Sequence, residues 1–162
     1  MRGIVVHITR DFKSIVCPQQ KFRNLVQAVC NRFGLANATV GIAIVGNKRI
    51  RKLNNRFLNC KTVTDCLSFD LSEHRCNHRW FELVVNGERA ISEAAKRGHC
   101  AQAELALYVT HGLLHNLGLD DLLPTQARKM HRLEDKILQQ QGFGPVYDKK
   151  RKIVSNKQRQ KC

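Results

Sequence analysis

The sequence predicts a single α+β domain, with four short strands and about five helices around one core. Four stretches of five to seven residues are rich in β-branched or alternating apolar side chains. Five others repeat apolar residues at the three-to-four spacing of an amphipathic helix. No internal repeat or linker divides the 162 residues, a length sufficient for one hydrophobic core.

Residues 4–8 (Ile-Val-Val-His-Ile) read as the first strand. Phe22, Leu25, Val26, Val29 and Phe33 share one helical face, and Gly34 closes that helix. Residues 39–45 are rich in β-branched side chains and end at Gly46-Asn47, which marks a second strand. Ile50, Leu53, Asn54 and Phe57 indicate a short helix. Residues 65–69 and 81–85 are the remaining strands, separated by the polar stretch 72–79, and 90–98 is a small helix. Residues 101–117 are apolar around most of the circumference, as a buried central helix requires. The last helix opens near Pro124, a residue suited to a first turn, and points Met130, Leu133, Ile137 and Leu138 inward. Gly142 and Pro145 stop it. From 148 to 162, seven bases and one acid leave almost nothing to bury. A domain over 1–147 followed by a disordered basic tail is therefore expected.

Charge narrows the partners. Lys and Arg number 28 against 13 acids, giving +15, and removing the tail's +6 leaves +9. Such an excess suits a polyanion, because each phosphate held by Lys or Arg releases condensed counterions. Charge alone does not separate RNA from DNA or an anionic membrane, and a basic solubilising surface is the plain alternative. The seven cysteines are odd in number and irregularly spaced, with no Cys-x-x-Cys pair. Residues 4–8 are strand-like, without the apolar core or cleavage site expected of a signal peptide, and no apolar run approaches a membrane span. Free thiols in a reducing cytoplasm are the simplest expectation.

The chemistry concentrates in His111-Gly112-Leu113-Leu114-His115-Asn116-Leu117-Gly118-Leu119-Asp120-Asp121. Two histidines four residues apart on a helix face the same way, close enough for both rings to reach one ion. Gly118 can end the helix in a conformation that returns the chain, offering Asp121 or Asp120 as a third ligand. Three protein ligands on zinc leave a fourth position open, the arrangement of a catalytic centre. The ordinary alternatives are two core histidines bonded to backbone and an aspartate capping the next helix. Gly112 stands where His-Glu-x-x-His peptidases keep their glutamate base, so proteolysis by that route is disfavoured.

This segment is similar to the zinc signature of metzincin-type sites. It resembles more closely the His-Gly-x-Leu-His-x-x-Gly-x-Asp-His hallmark of the YbeY family of rRNA-maturation endoribonucleases. Leu53-Asn54-Asn55-Arg56-Phe57 followed by Thr64-Asp65-Cys66-Leu67-Ser68-Phe69 is similar to that family's Leu-Asn-x-x-(aromatic) and Pro-Thr-Asp-Val-Leu-Ser-Phe stretches. Phe81-Glu82-Leu83-Val84-Val85 falls where the family has Gly-Asp-Ile-Val-Ile. The resemblance covers about residues 3–143 in the same order. Three positions depart from it. Asp121 replaces the third metal histidine, keeping an oxygen donor but making a bound ion a weaker Lewis acid. Val63 replaces a proline, and the arginine often found after the aromatic falls on Leu58, with Arg56 two residues earlier.

The resemblance implies a mixed four-stranded sheet packed against helices, with one zinc ion at the end of the central helix. It favours His111, His115 and Asp121 as ligands, with Arg56 as a catalytic side chain that positions phosphate. It further implies cleavage of single-stranded RNA, maturation of the 3′ end of small-subunit rRNA, and a ribosomal partner in the cytoplasm rather than a membrane. A non-catalytic RNA-binding assembly factor with a structural metal site is the alternative, and a metallopeptidase the less favoured one. Glu82 and a hydroxide on the ion are candidates for the proton acceptor. Glu104 and Tyr108, on the histidine stripe, either orient a ligand or tie the helix to the sheet. His74, Cys76 and His78 form a weaker rival cluster, while Thr64, Asp65 and Ser68 suit a strand end, with substrate binding as the alternative. Trp80 is expected in the core, with base stacking as its alternative.

Overall fold

The computed structural model describes residues 3–147; the expected tail, 148–162, lies outside the described residues. Strands β1 (Ile4–Arg10), β2 (Ala38–Val45), β3 (Cys66–Asp70) and β4 (Arg79–Asn86) form one sheet in the order β1-β2-β4-β3. β1 pairs with β2 and β2 with β4 in parallel, whereas β3 runs antiparallel along β4 at an edge. The sheet is mixed. Five helices complete the α+β domain: α1 (Gln19–Arg32), α2 (Asn47–Leu58), α3 (Gly87–Arg97), α4 (Ala101–Asn116) and α5 (Pro124–Gln140).

Strand alternation divides the core in two. Val6, Val40, Ile42, Ile44, Phe81, Leu83 and Val85 pack with Phe22, Leu25, Val26 and Val29 of α1 and Leu105, Val109 and Leu113 of α4. Burying each such side chain contributes about 1.5–3 kcal/mol relative to leaving it in water. The opposite face carries a smaller cluster of Val45, Ile50 and Leu67, flanked by Leu53, Phe69 and Val84, which places α2 on that side. α4 has apolar residues all round because it is enclosed by the sheet, α1, α3 and α5. No helix among the described residues is long and apolar enough to cross a membrane.

Every expected element forms, with shifted ends. α2 begins directly after Gly46, because the Glu88 carboxylate accepts the Asn47 backbone N–H at 2.8 Å and satisfies the first turn. β4 begins at Arg79, so Trp80 lies within the strand on the face opposite Phe81. The expectation of a core Trp80 is thereby corrected: it is 47% exposed, and its indole N–H donates to Glu82. Cys17, Cys30, Cys60, Cys66 and Cys76 are free thiols, and burial pushes those of Cys17 and Cys30 up to about 11.

Candidate metal centre

The last two turns of α4 carry His111 and His115 on one side, and the helix stops at Leu117, whose N–H bonds back to Leu113 and Leu114. Gly118 follows at φ +96°, where a side chain is strained, and turns the chain. Asp120 then uses Oδ1 to accept the N–H groups of Asp121 and Leu122, at 2.7 and 3.2 Å. That turn delivers Asp121, not Asp120, to the imidazoles. Neither aspartate caps α5, whose Leu123 N–H is accepted by Gln126.

His111 Nε2 and His115 Nε2 stand 3.0 Å apart. Asp121 Oδ2 is 3.7 Å from the first and Oδ1 is 3.6 Å from the second. Donors about 2.0–2.1 Å from a tetrahedral zinc ion stand roughly 3.3 Å from each other, so the set has the right span. The proton inventory agrees. His115 Nδ1 lies 3.0 Å from the Leu119 carbonyl, which only accepts, so this ring keeps its proton on Nδ1. His111 Nδ1 lies 2.7 Å from Glu134 Oε1 and donates to it in the same way. In the neutral rings both Nε2 lone pairs therefore meet each other and a carboxylate, an arrangement that calls for a cation at their centre. Burial opposes charge on His111, but the Glu134 bond and the charges of Glu134, Asp65 and Asp121 outweigh it and raise its pKa. The residues present fit a divalent ion.

Glu134 is the residue that sequence reasoning missed. It is fully buried on α5 and bridges His111 and His131, whose Nδ1 lies 3.1 Å from Oε2. A signal existed: it falls four residues after Met130 and four before Leu138, inside the apolar stripe. Glu104 is buried too, but pairs with His99 and Arg97 rather than with either histidine ligand candidate or the sheet. A small polar cleft opens beside His111, lined in part by Asp65, Arg89, Arg97, Glu104 and Tyr108.

Glu82 lies on the sheet face opposite α4, against Gly41, so it does not face the cluster as a base. His78 is bonded to Thr39 and Asn37, and Cys76 to Glu73, so the 74–78 segment gathers no ligand set among the described residues. Asp65 accepts the N–H of Cys66 and the hydroxyl of Thr64, a strand-end role. Arg56 is exposed on α2, its guanidinium 5.5 Å from the Phe57 ring centre, with no hydrogen bond or ion pair to the cluster. Gly112 has a packing reason: a Cβ there would lie 2.6 Å from Cys66 Sγ and 3.2 Å from Leu83 Cδ2.

A family model described as Endoribonuclease YbeY matches residues 7–142. The chain belongs to the YbeY family. Among curated relatives, Endoribonuclease YbeY of Anaeromyxobacter sp. (strain Fw109-5) is 35% identical over 125 residues, covering 76% of this chain and 65% of the relative. That of Thermodesulfovibrio yellowstonii is 33% identical, covering 61% of this chain and 64% of the relative. The chain thus spans just under two thirds of these two relatives. The YbeY protein of Carboxydothermus hydrogenoformans is 34% identical, with 73% and 82% covered. The solution structure of TM1509 from Thermotoga maritima shares the fold, with a TM-score of 0.57 at 20% identity, covering 89% of this chain and 96% of that one. The YbeY match encloses α4, the Gly118 turn and α5 through Gln140, so the converging donors lie within the family's segment.

Proposed function

We propose that this YbeY family member is a metal-dependent endoribonuclease that cuts single-stranded RNA. We assign it to maturation of the 3′ end of small-subunit rRNA and to ribosome assembly in the cytoplasm, with residues 1–147 as the catalytic domain. The observation that carries the reading is the meeting of His111 Nε2, His115 Nε2 and an Asp121 oxygen, all within 4.8 Å of one another. Two imidazoles and one carboxylate suit zinc and leave room for substrate or water.

A bound zinc ion supplies polarisation of a phosphoryl oxygen and a lowered pKa for a water molecule. The chain's own residues prepare that chemistry. Glu134 and the Leu119 carbonyl hold both ring protons on Nδ1, which aims the Nε2 lone pairs at one point. Arg56 serves as the phosphate-positioning cation, a role suited to its unpaired guanidinium. Gly112 lies flush against Cys66 and Leu83 with no space for a glutamate, which disfavours peptidase chemistry.

The test pairs metal analysis with cleavage. Purified protein should carry one zinc per chain and cut unstructured RNA; His115→Ala and Asp121→Ala should lose both metal and cutting. If wild type and His115→Ala cut equally, the activity is contamination and the non-catalytic assembly-factor reading takes its place.

A further inference from the structure

Helix α2 breaks two rules of helix electrostatics. Lys48, Arg49, Arg51, Lys52 and Arg56 are all exposed, and Lys61 follows just beyond. No acid occurs from Asn47 to Thr64, and none of these six cations has an ion-pair partner among the described residues. Lys48–Lys52 and Lys52–Arg56 are like charges at four-residue spacing, and Lys48–Arg51 and Arg49–Lys52 at three, all mutually repulsive. Lys48 and Arg49 also occupy the first turn, at the positive end of the helix dipole, where α2 has no acid of its own and the Glu88 carboxylate accepts the Asn47 N–H. Ile50 and Asn54 are buried, so the cations form the solvent face opposite the sheet. A helix that accumulates repulsion without internal relief matches an external polyanion.

The position of α2 connects that face to the metal centre. Phe57, in its last turn, stacks edge-on against Phe69 of β3 with centroids 5.3 Å apart. The Phe69 carbonyl in turn accepts from Asn116, the residue after His115, at 3.5 Å. The C-terminal end of α2 therefore abuts the edge strand that borders the donor cluster, and the rest of the helix leads away over some 18 Å. Phe57 is 56% exposed, which places an aromatic ring for base stacking where the two regions meet.

We infer that the solvent face of α2 is an RNA exosite: Lys48, Arg49, Arg51 and Lys52 bind backbone phosphates of the substrate strand outside the cut. It extends the proposed function and rests on RNA being the substrate. The contacts lie away from the scissile bond, so they govern capture of long RNA and not the chemical step. Charge complementarity and the lack of any acid within residues 47–64 select a nucleic-acid backbone as the occupant.

The test replaces Lys48, Arg49, Arg51 and Lys52 together with glutamine in the full-length protein, leaving Arg56 in place. Glutamine keeps helix propensity and removes the repulsion, so this variant should fold at least as stably as wild type. A charge-matched control replaces Arg128, Lys129, Arg132 and Lys136 of α5 with glutamine. For long single-stranded RNA, the α2 variant should lose about 3 from the log–log salt slope of binding, at roughly 0.7 per phosphate contact. Its KM for that RNA should rise at least tenfold with kcat unchanged, while a short oligonucleotide confined to the cleft keeps wild-type KM. The control should keep most of the slope. Equal losses in the two variants would mean diffuse attraction and overturn the exosite, as would an unchanged slope in the α2 variant. If wild type binds RNA in this α2-dependent way but does not cut it, the nuclease reading fails and the exosite stands.

Discussion

His111 can offer a lone pair at Nε2 only while its ring proton stays on Nδ1, and one side chain decides that. Glu134 accepts this proton's hydrogen bond at 2.7 Å, from a position closed to solvent. A carboxylate partner makes the ring a stronger donor, and losing such a partner typically costs 10–100-fold in metal affinity. Glu134→Gln keeps an accepting oxygen but removes the charge, so about a tenfold loss is expected, read by competition with a chromogenic chelator. Unchanged affinity would show that Glu134 merely fills space between α4 and α5. The convergence of His111 and His115 was legible from their helical spacing, whereas Asp121 was favoured over Asp120 through the family resemblance. Glu134 was not legible, because an acid among the many charges of α5 looks solvent-facing until α5 packs against α4. Trp80 misled for a related reason: a large ring suggests a core, but alternation aims it at the side where α2 does not reach.

The elements around the centre are held in register by a polar junction. Asn86, fully buried at the end of β4, accepts the Arg89 N–H and so caps α3. Its amide also donates to Asn47 of α2 at 2.8 Å and to the Thr64 carbonyl before β3 at 3.0 Å. One side chain thus ties a helix start, a second helix start and a strand entry. Asn86→Ala would remove the cap, worth about 0.5–2 kcal/mol, and leave buried groups unsatisfied at about 1–3 kcal/mol. Urea unfolding should therefore show a loss of at least 2 kcal/mol, and Asn86→Asp, which keeps the cap acceptor but sets a carboxylate oxygen against the Asn47 and Thr64 oxygens in a closed site, should not restore it. A loss under 0.5 kcal/mol in the alanine variant would deny the junction its role. Element types were readable from apolar spacing, because burial of one face fixes it. The parallel pairing of β1, β2 and β4 was not visible in single stretches, and the family resemblance implied only that the sheet is mixed. Such pairing depends on long-range crossovers rather than on local sequence.

Across the whole molecule, the formal charge of +15 divides into +6 on residues 148–162 and +9 on the rest. The three donors of the centre lie between His111 and Asp121, outside that terminal segment. The last described turn is fixed from within, since Asp135 accepts the N–H groups of Val146 and Tyr147 at 2.8 and 3.0 Å. Ending the chain after Tyr147 keeps the Asp135 bonds to Val146 and Tyr147 and removes seven bases with one acid. Zinc content should stay at one per chain, and kcat on a short oligonucleotide should match wild type. Affinity for long RNA should fall, with a shallower salt dependence as counterion-releasing contacts disappear. The remaining +9, with α2 at its centre, should preserve measurable binding. If truncation instead reduced kcat on the short oligonucleotide as much as it reduced long-RNA affinity, the segment would belong to the reacting surface. Tethering and chemistry would then share residues, where the position of the donors separates them.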